Sequence, residues 1–79
     1  MGFEALKDNT TGTINTGLGR QALANNTTGT DNTAVSYSLV TNTTGSNNTA
    51  VGKSALNANT TADNNTAVGL NSQVLVTTG

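Results

Sequence analysis

The sequence Asn48-Thr49-Ala50-Val51-Gly52 recurs along the chain at a nearly constant interval. Its other copies are Asn32-Thr33-Ala34-Val35, Asn65-Thr66-Ala67-Val68-Gly69 and the variant Asn15-Thr16-Gly17-Leu18-Gly19. The first residues of the four copies are separated by 17, 16 and 17 residues. A fixed period of this size indicates one small structural unit that is stacked on copies of itself.

A second phrase alternates with the first: Asn9-Thr10-Thr11-Gly12, Asn26-Thr27-Thr28-Gly29, Asn42-Thr43-Thr44-Gly45 and Asn59-Thr60-Thr61-Ala62. Short segments between Asn, Gly and Thr residues are typical of strands, whereas helical repeats need a period above about 30 residues. We therefore predict an all-β fold, a parallel β-solenoid or β-roll of about four to five coils that forms trimers or stacks. Residues 1–79 would be one repeat domain, with coils at roughly 2–18, 19–35, 36–51, 52–68 and 69–79.

Alignment of the copies on Gly2, Gly19, Ser36, Gly52 and Gly69 produces columns of similar residues. The apolar columns predict a core ladder, formed by Leu18, Val35, Val51 and Val68 and by Leu6, Leu23, Leu39 and Leu56. A turn ladder is predicted at Asn9, Asn26, Asn42 and Asn59 and at Gly12, Gly29 and Gly45, with stacked amides bonded to one another. The 16-residue copy lacks one residue between Ser36 and Leu39.

The composition argues against several classes of function. The chain has 79 residues, of which 33% are apolar, and it contains neither Cys nor His, so disulfides, zinc sites and a Ser-His-Asp triad are excluded. Its net charge is −1, with no basic patch for nucleic acid and no apolar run long enough for membrane insertion. Glu4, Asp8, Asp31 and Asp63 are interpreted as solvated turn carboxylates. We expect no enzyme activity, no cofactor, no metal and no signal peptide.

The phrase Asn-Thr-Ala-Val-Gly-x-x-Ala-Leu resembles the head repeat of trimeric autotransporter adhesins, the YadA-like left-handed β-roll, and similar repeats appear in bacteriophage tail-fibre proteins. Ala34-Val35, Ala50-Val51-Gly52 and Ala67-Val68-Gly69 match the small-aliphatic pair that this family places before a Gly on its inner strand. The resemblance covers nearly the whole chain through about Gly69. It implies a homotrimer of parallel β-rolls in a surface-exposed fibre or adhesin head, located extracellularly, at a cell surface or in a virion.

Three functions are compatible with these patterns. The first is a structural segment of an extracellular or viral fibre or adhesin that self-associates and contacts a host-surface ligand. The second is a subunit of an end-to-end β-solenoid filament. The third is ice binding by stacked Thr11/Thr13, Thr28/Thr30 and Thr44/Ser46. The apolar C-terminal stretch predicts an association surface at Leu70, Val74, Leu75 and Val76.

Overall fold

The computed structural model describes residues 4–72 and contains four short strands in that range, with no helix. The strands are β1 (Thr16–Leu18), β2 (Thr33–Val35), β3 (Thr49–Val51) and β4 (Thr66–Val68). They form one parallel sheet in the order β1-β2-β3-β4. The predicted all-β class is confirmed, and the sheet is consistent with a solenoid-like arrangement.

Each residue of a strand pairs with its own equivalent in the next copy of the repeat. Thr16 pairs with Thr33, and Ala34 pairs with Ala50. Outside the strands the stacking continues, because the Thr27 N–H donates to the Thr43 carbonyl at 3.0 Å. The sequence period therefore becomes a backbone ladder in which most of each unit is bonded to its neighbours.

The shorter copy keeps this ladder by tightening one turn. In the 17-residue copies the turn after the strand spans three residues, as in the bond from the Ala55 N–H to the Gly52 carbonyl at 3.1 Å. In the 16-residue copy the Ser38 N–H instead reaches the Ser36 carbonyl at 3.0 Å. The next residue returns to register, since the Leu39 N–H donates to the Ala55 carbonyl at 3.1 Å. The missing residue therefore lies where the sequence alignment placed it.

Leucine and alanine side chains fill the interior. Leu23, Leu39 and Leu56 are completely buried, and Leu6 packs against them as a partly buried residue. This confirms the predicted leucine column. The same four residues have φ angles of 49° to 56°, in the left-handed region that L-residues rarely adopt. That conformation costs about 1–2 kcal/mol per residue, whereas burial of a Leu side chain contributes about 1.5–3 kcal/mol, so packing offsets the backbone strain.

Left-handed backbone also recurs two residues before each strand, and one residue there is poorly suited to it. The equivalent positions hold Ile14, Asp31, Asn47 and Asn64, with φ between 57° and 63°. Asn and Asp tolerate this conformation, but a β-branched residue does not. Ile14 is also 78% exposed, so it gains little from burial within the chain.

We expect Ile14→Asn to raise the free energy of unfolding by about 1 kcal/mol, because it relieves backbone strain at an exposed position. Thermal unfolding followed by circular dichroism measures the effect. Thr13→Asn, at the neighbouring exposed residue, is the control and should change stability by less than about 0.5 kcal/mol. Equal stabilisation by both variants would contradict the explanation by strain.

Candidate association surface

The column of Leu18, Val35, Val51 and Val68 lies on the outside of the sheet, and the prediction that it forms part of the core ladder is wrong. Leu18 is 50% exposed and Val68 is 69% exposed, whereas Ala50 in the middle of β3 is completely buried. The reason is the alternation of side chains along a strand. In a strand of three residues that buries its middle residue, the first and third must face outward.

The outward side of the four strands forms a regular uncharged surface, here called the Thr/Val face. It consists of two parallel columns, Thr16, Thr33, Thr49 and Thr66, and Leu18, Val35, Val51 and Val68. Adjacent strands lie about 4.8 Å apart, so each column repeats at that spacing. Leu70, two residues beyond β4, is 68% exposed, and its apolar side chain belongs to the predicted association surface. Val74, Leu75 and Val76, the other residues of that prediction, lie outside the described residues.

The predicted asparagine ladder exists, but its amides lie in the interior. Asn26, Asn42 and Asn59 are completely buried. Each side-chain Nδ2 donates to the Oδ1 of the equivalent Asn one repeat earlier, at 2.8 Å for Asn26 to Asn9, Asn42 to Asn26 and Asn59 to Asn42. Each amide also donates to the carbonyl three residues later, as Asn42 does to Gly45 at 3.0 Å. Buried polar groups are tolerated because both their donors and acceptors are satisfied.

A second asparagine ladder was not assigned to the interior from the sequence; it is formed by the half-buried Asn15 and the buried Asn32, Asn48 and Asn65. The Asn48 N–H donates to the Oδ1 of Asn32 at 3.0 Å, and the Asn65 N–H donates to the Oδ1 of Asn48 at 2.9 Å. The Nδ2 of Asn48 reaches across to the Ala62 carbonyl at 2.9 Å. The available signal was that every copy of the strand phrase begins with Asn, just before the first outward Thr.

The glycines of the column stand where the two asparagine ladders meet in the first three copies, and the fourth copy has Ala62 at that place. A Cβ atom on the buried Gly29 would stand 2.6 Å from the Oδ1 of Asn26 and 3.0 Å from the Nδ2 of Asn32. It would also contact the carbonyl oxygen of Gly45 in the next repeat. Gly12 and Gly45 occupy equivalent positions, so the predicted Gly ladder marks the points where backbone and amides approach most closely.

Enclosed sites are absent from residues 4–72. This part of the chain contains no detected pocket and no group of three or more metal-ligating side chains. It also has no helix that is long and apolar enough to cross a membrane. Of the acidic residues, Glu4 accepts a hydrogen bond from Gln21 at 2.7 Å, and Asp63 accepts one from the Ser46 N–H at 2.7 Å. The extended Thr/Val face is therefore the candidate functional surface of the described residues.

Comparisons with protein-family models, with curated proteins and with solved structures found no match to this chain. The resemblance to adhesin heads and tail-fibre repeats therefore stays a prediction. The geometry defines the class of protein as an all-β protein with a solenoid-like parallel sheet, polar asparagine ladders inside and an apolar column outside.

Proposed function

We propose that this chain is a structural repeat segment of an extracellular or viral fibre or adhesin, and that it self-associates through the Thr/Val face. Its copies would form a homotrimer, as the resemblance to adhesin heads implies, and the assembled fibre would present its outer surface to a host-surface ligand. The role is structural and requires no catalytic residue or cofactor.

The observation that carries this proposal is the outward-facing apolar column of the Thr/Val face. Leu18 and Val68, at its two ends, are at least half exposed, and Val35 and Val51 between them are half-buried, although the interior of the same repeats is built from Ala, Leu and Asn. Contiguous exposed apolar surface on a small soluble protein marks an interaction site. Here the surface belongs to a sheet whose strands repeat at one spacing, so a second copy presents a surface of the same period.

The energetic argument points to the same face. A chain of 79 residues with a core of small side chains has little apolar surface to bury on its own. Removal of an exposed Val or Leu side chain from water contributes about 1.5–3 kcal/mol when burial is complete. Burial of Leu18 and Val68, together with the accessible parts of the half-buried Val35 and Val51, is therefore able to drive association and to add stability that the isolated chain lacks.

Light scattering of the purified chain tests the proposal. The expected mass is three times 7.9 kDa for the homotrimer. Val51→Lys, at the centre of the apolar column, should weaken association at least tenfold, because a charged side chain would be buried without a partner. Thr44→Lys introduces the same charge at an exposed turn position and should leave the mass unchanged.

A monomer at all accessible concentrations would contradict self-association, and so would equal behaviour of the two lysine variants. Micrometre filaments in electron microscopy would favour the filament subunit.

Ice binding predicts thermal hysteresis, but its proposed residues are poorly suited to it. The Thr30 N–H donates to the Ser46 Oγ at 3.0 Å, and both residues lie outside the strands. Absence of hysteresis would exclude that function.

A further inference from the structure

Positively charged residues lie on one margin of the Thr/Val face. Arg20 is two residues beyond the end of β1, and Lys53 is two residues beyond the end of β3. Because the strands are parallel, all of their C-terminal ends lie along one side of the sheet. Both side chains are exposed. We call this pair the basic margin.

Negatively charged residues lie on the opposite margin. Asp31 is two residues before β2, and Asp63 is three residues before β4. Both are exposed, and the N-terminal ends of parallel strands share the other side of the sheet. We call this pair the acidic margin. The members of each margin are two repeats apart, which corresponds to about 10 Å along the stack.

The two margins are not paired with each other inside the chain. Within residues 4–72 the ion pair found is Lys7 with Glu4, at 4.0 Å, and it involves neither margin. Asp63 accepts the Ser46 N–H, which leaves further acceptor capacity on its carboxylate. On the basic margin the uncharged Tyr37 lies between Arg20 and Lys53. On the acidic margin the uncharged Asn47 lies between Asp31 and Asp63. Glu4 lies near the basic margin, bonded to Gln21 beside Arg20, but it pairs with Lys7. The strand ends therefore carry Arg20 and Lys53 on one side of the uncharged Thr/Val face and Asp31 and Asp63 on the other.

We infer that a second copy of this chain docks on the Thr/Val face with the stacking axes of the two copies parallel. The basic margin of one copy then lies against the acidic margin of the next. The inference rests on the proposed self-association and adds its orientation. In a parallel arrangement opposite charges meet at the rim of the interface. If the stacking axes of two facing copies were antiparallel, each margin would meet the same margin of the other copy, and the repulsion between like charges disfavours that arrangement.

The equal spacing of the charges also limits sliding along the stack. Arg20 follows β1, and Asp31 precedes β2, which is the next strand of the stack. In the same way Lys53 follows β3, and Asp63 precedes β4. In a closed trimer, whose copies have no axial shift, each pair is therefore offset by one repeat, about 4.8 Å. The long side chains of Arg and Lys are able to span such an offset. A slip of two repeats in one direction leaves one pair within this reach, so the charges limit the registers that the apolar column alone allows.

Charge reversal tests this inference in the full chain. The variant Arg20→Asp with Lys53→Asp makes both margins acidic, and we expect its dissociation constant to rise at least tenfold at low salt. Addition of Asp31→Lys and Asp63→Lys swaps the two margins and restores the original net charge. This swapped variant should associate with itself to within about threefold of the unmodified chain, but should not form mixed trimers with it in native mass spectrometry, because the copies of a closed trimer are parallel and their like charges would meet.

A matched control separates the margins from overall charge. Lys7→Asp with Thr11→Asp and Thr44→Asp gives the same net charge as the first variant, through exposed residues away from the face, and should associate like the unmodified chain. Circular dichroism verifies that each variant is folded. Unchanged association of the first variant, an equal loss in the control, or failure of the folded swapped variant to associate would overturn the inference and leave self-association intact. A monomeric unmodified chain would overturn the proposed function itself.

Discussion

Replacement of Asn42 by Asp is expected to lower the free energy of unfolding at pH 7 by about 3 kcal/mol or more. The side chain is completely buried, and its Nδ2 donates to the Oδ1 of Asn26 at 2.8 Å and to the Gly45 carbonyl at 3.0 Å. A carboxylate has the same shape but no hydrogen to donate, so it would face two acceptor oxygens. It would also be a buried charge without a counterion. A small domain has few kcal/mol to lose, and we expect most of the chain to unfold.

The exposed Asn47 offers a matched control, because Asn47→Asp makes the same chemical change at a position where another copy already has Asp31. We expect that variant to change stability by less than about 0.5 kcal/mol. Urea unfolding measures both.

The pH dependence gives an independent check. Burial would raise the pKa of the introduced carboxyl at position 42 above its unfolded value of about 3.9. The folded state would then bind more protons than the unfolded state, so the stability of Asn42→Asp should fall as the pH rises above that unfolded value. A stability that is independent of pH, or equal to that of Asn47→Asp, would contradict a buried ladder.

The repeat architecture was predictable from the sequence because periodicity states which residues are equivalent. The 16- and 17-residue spacings identify the pairs that stack, and the structure pairs Thr33 with Thr49 and Val51 with Val68 accordingly. The leucine column was also predictable, since large apolar side chains in a polar sequence have few other places to pack. Its left-handed backbone was not predictable, because intrinsic preference disfavours that conformation for Leu and only the packing of stacked copies maintains it.

Hydropathy could not show which side chains of the Thr-Ala-Val strand face the interior. Hydropathy ranks Val51 above Ala50 as a core residue, yet Ala50 is the buried one. Stacked repeats whose interior already holds Leu and Asn leave room for a small side chain at that place. Hydropathy also predicts an exposed Asn48, because an isolated amide avoids the interior, yet Asn48 is buried. Its burial becomes favourable only because the next copy accepts a hydrogen bond from its Nδ2 and donates one to its Oδ1.

The glycine at the meeting point of the two asparagine ladders gives the second large effect. We expect Gly29→Ala to lower the free energy of unfolding by about 3 kcal/mol or more, the range of severe overpacking. The added Cβ would stand 2.6 Å from the Oδ1 of Asn26. Ala62, at the equivalent place beside Asn59, shows that a contact within one repeat is accommodated, so the expected loss rests on the following repeat. The added Cβ would also press on the Gly45 carbonyl, which accepts the Nδ2 of Asn32 at 2.8 Å and cannot withdraw without loss of that bond. Urea unfolding measures the stability of the variant.

The neighbouring Thr28→Ala is the control, because Thr28 is exposed and its replacement by Ala adds no atom. We expect that variant to stay within about 0.5 kcal/mol of the unmodified chain. Gly29 is not among the residues with positive φ, so the effect of Gly29→Ala would come from contact and not from backbone strain. The clash also involves the next repeat, so it should separate neighbouring repeats and weaken association through the Thr/Val face together with stability. A stable, fully associated Gly29→Ala chain would show that the repeats are packed less closely than the asparagine ladders require.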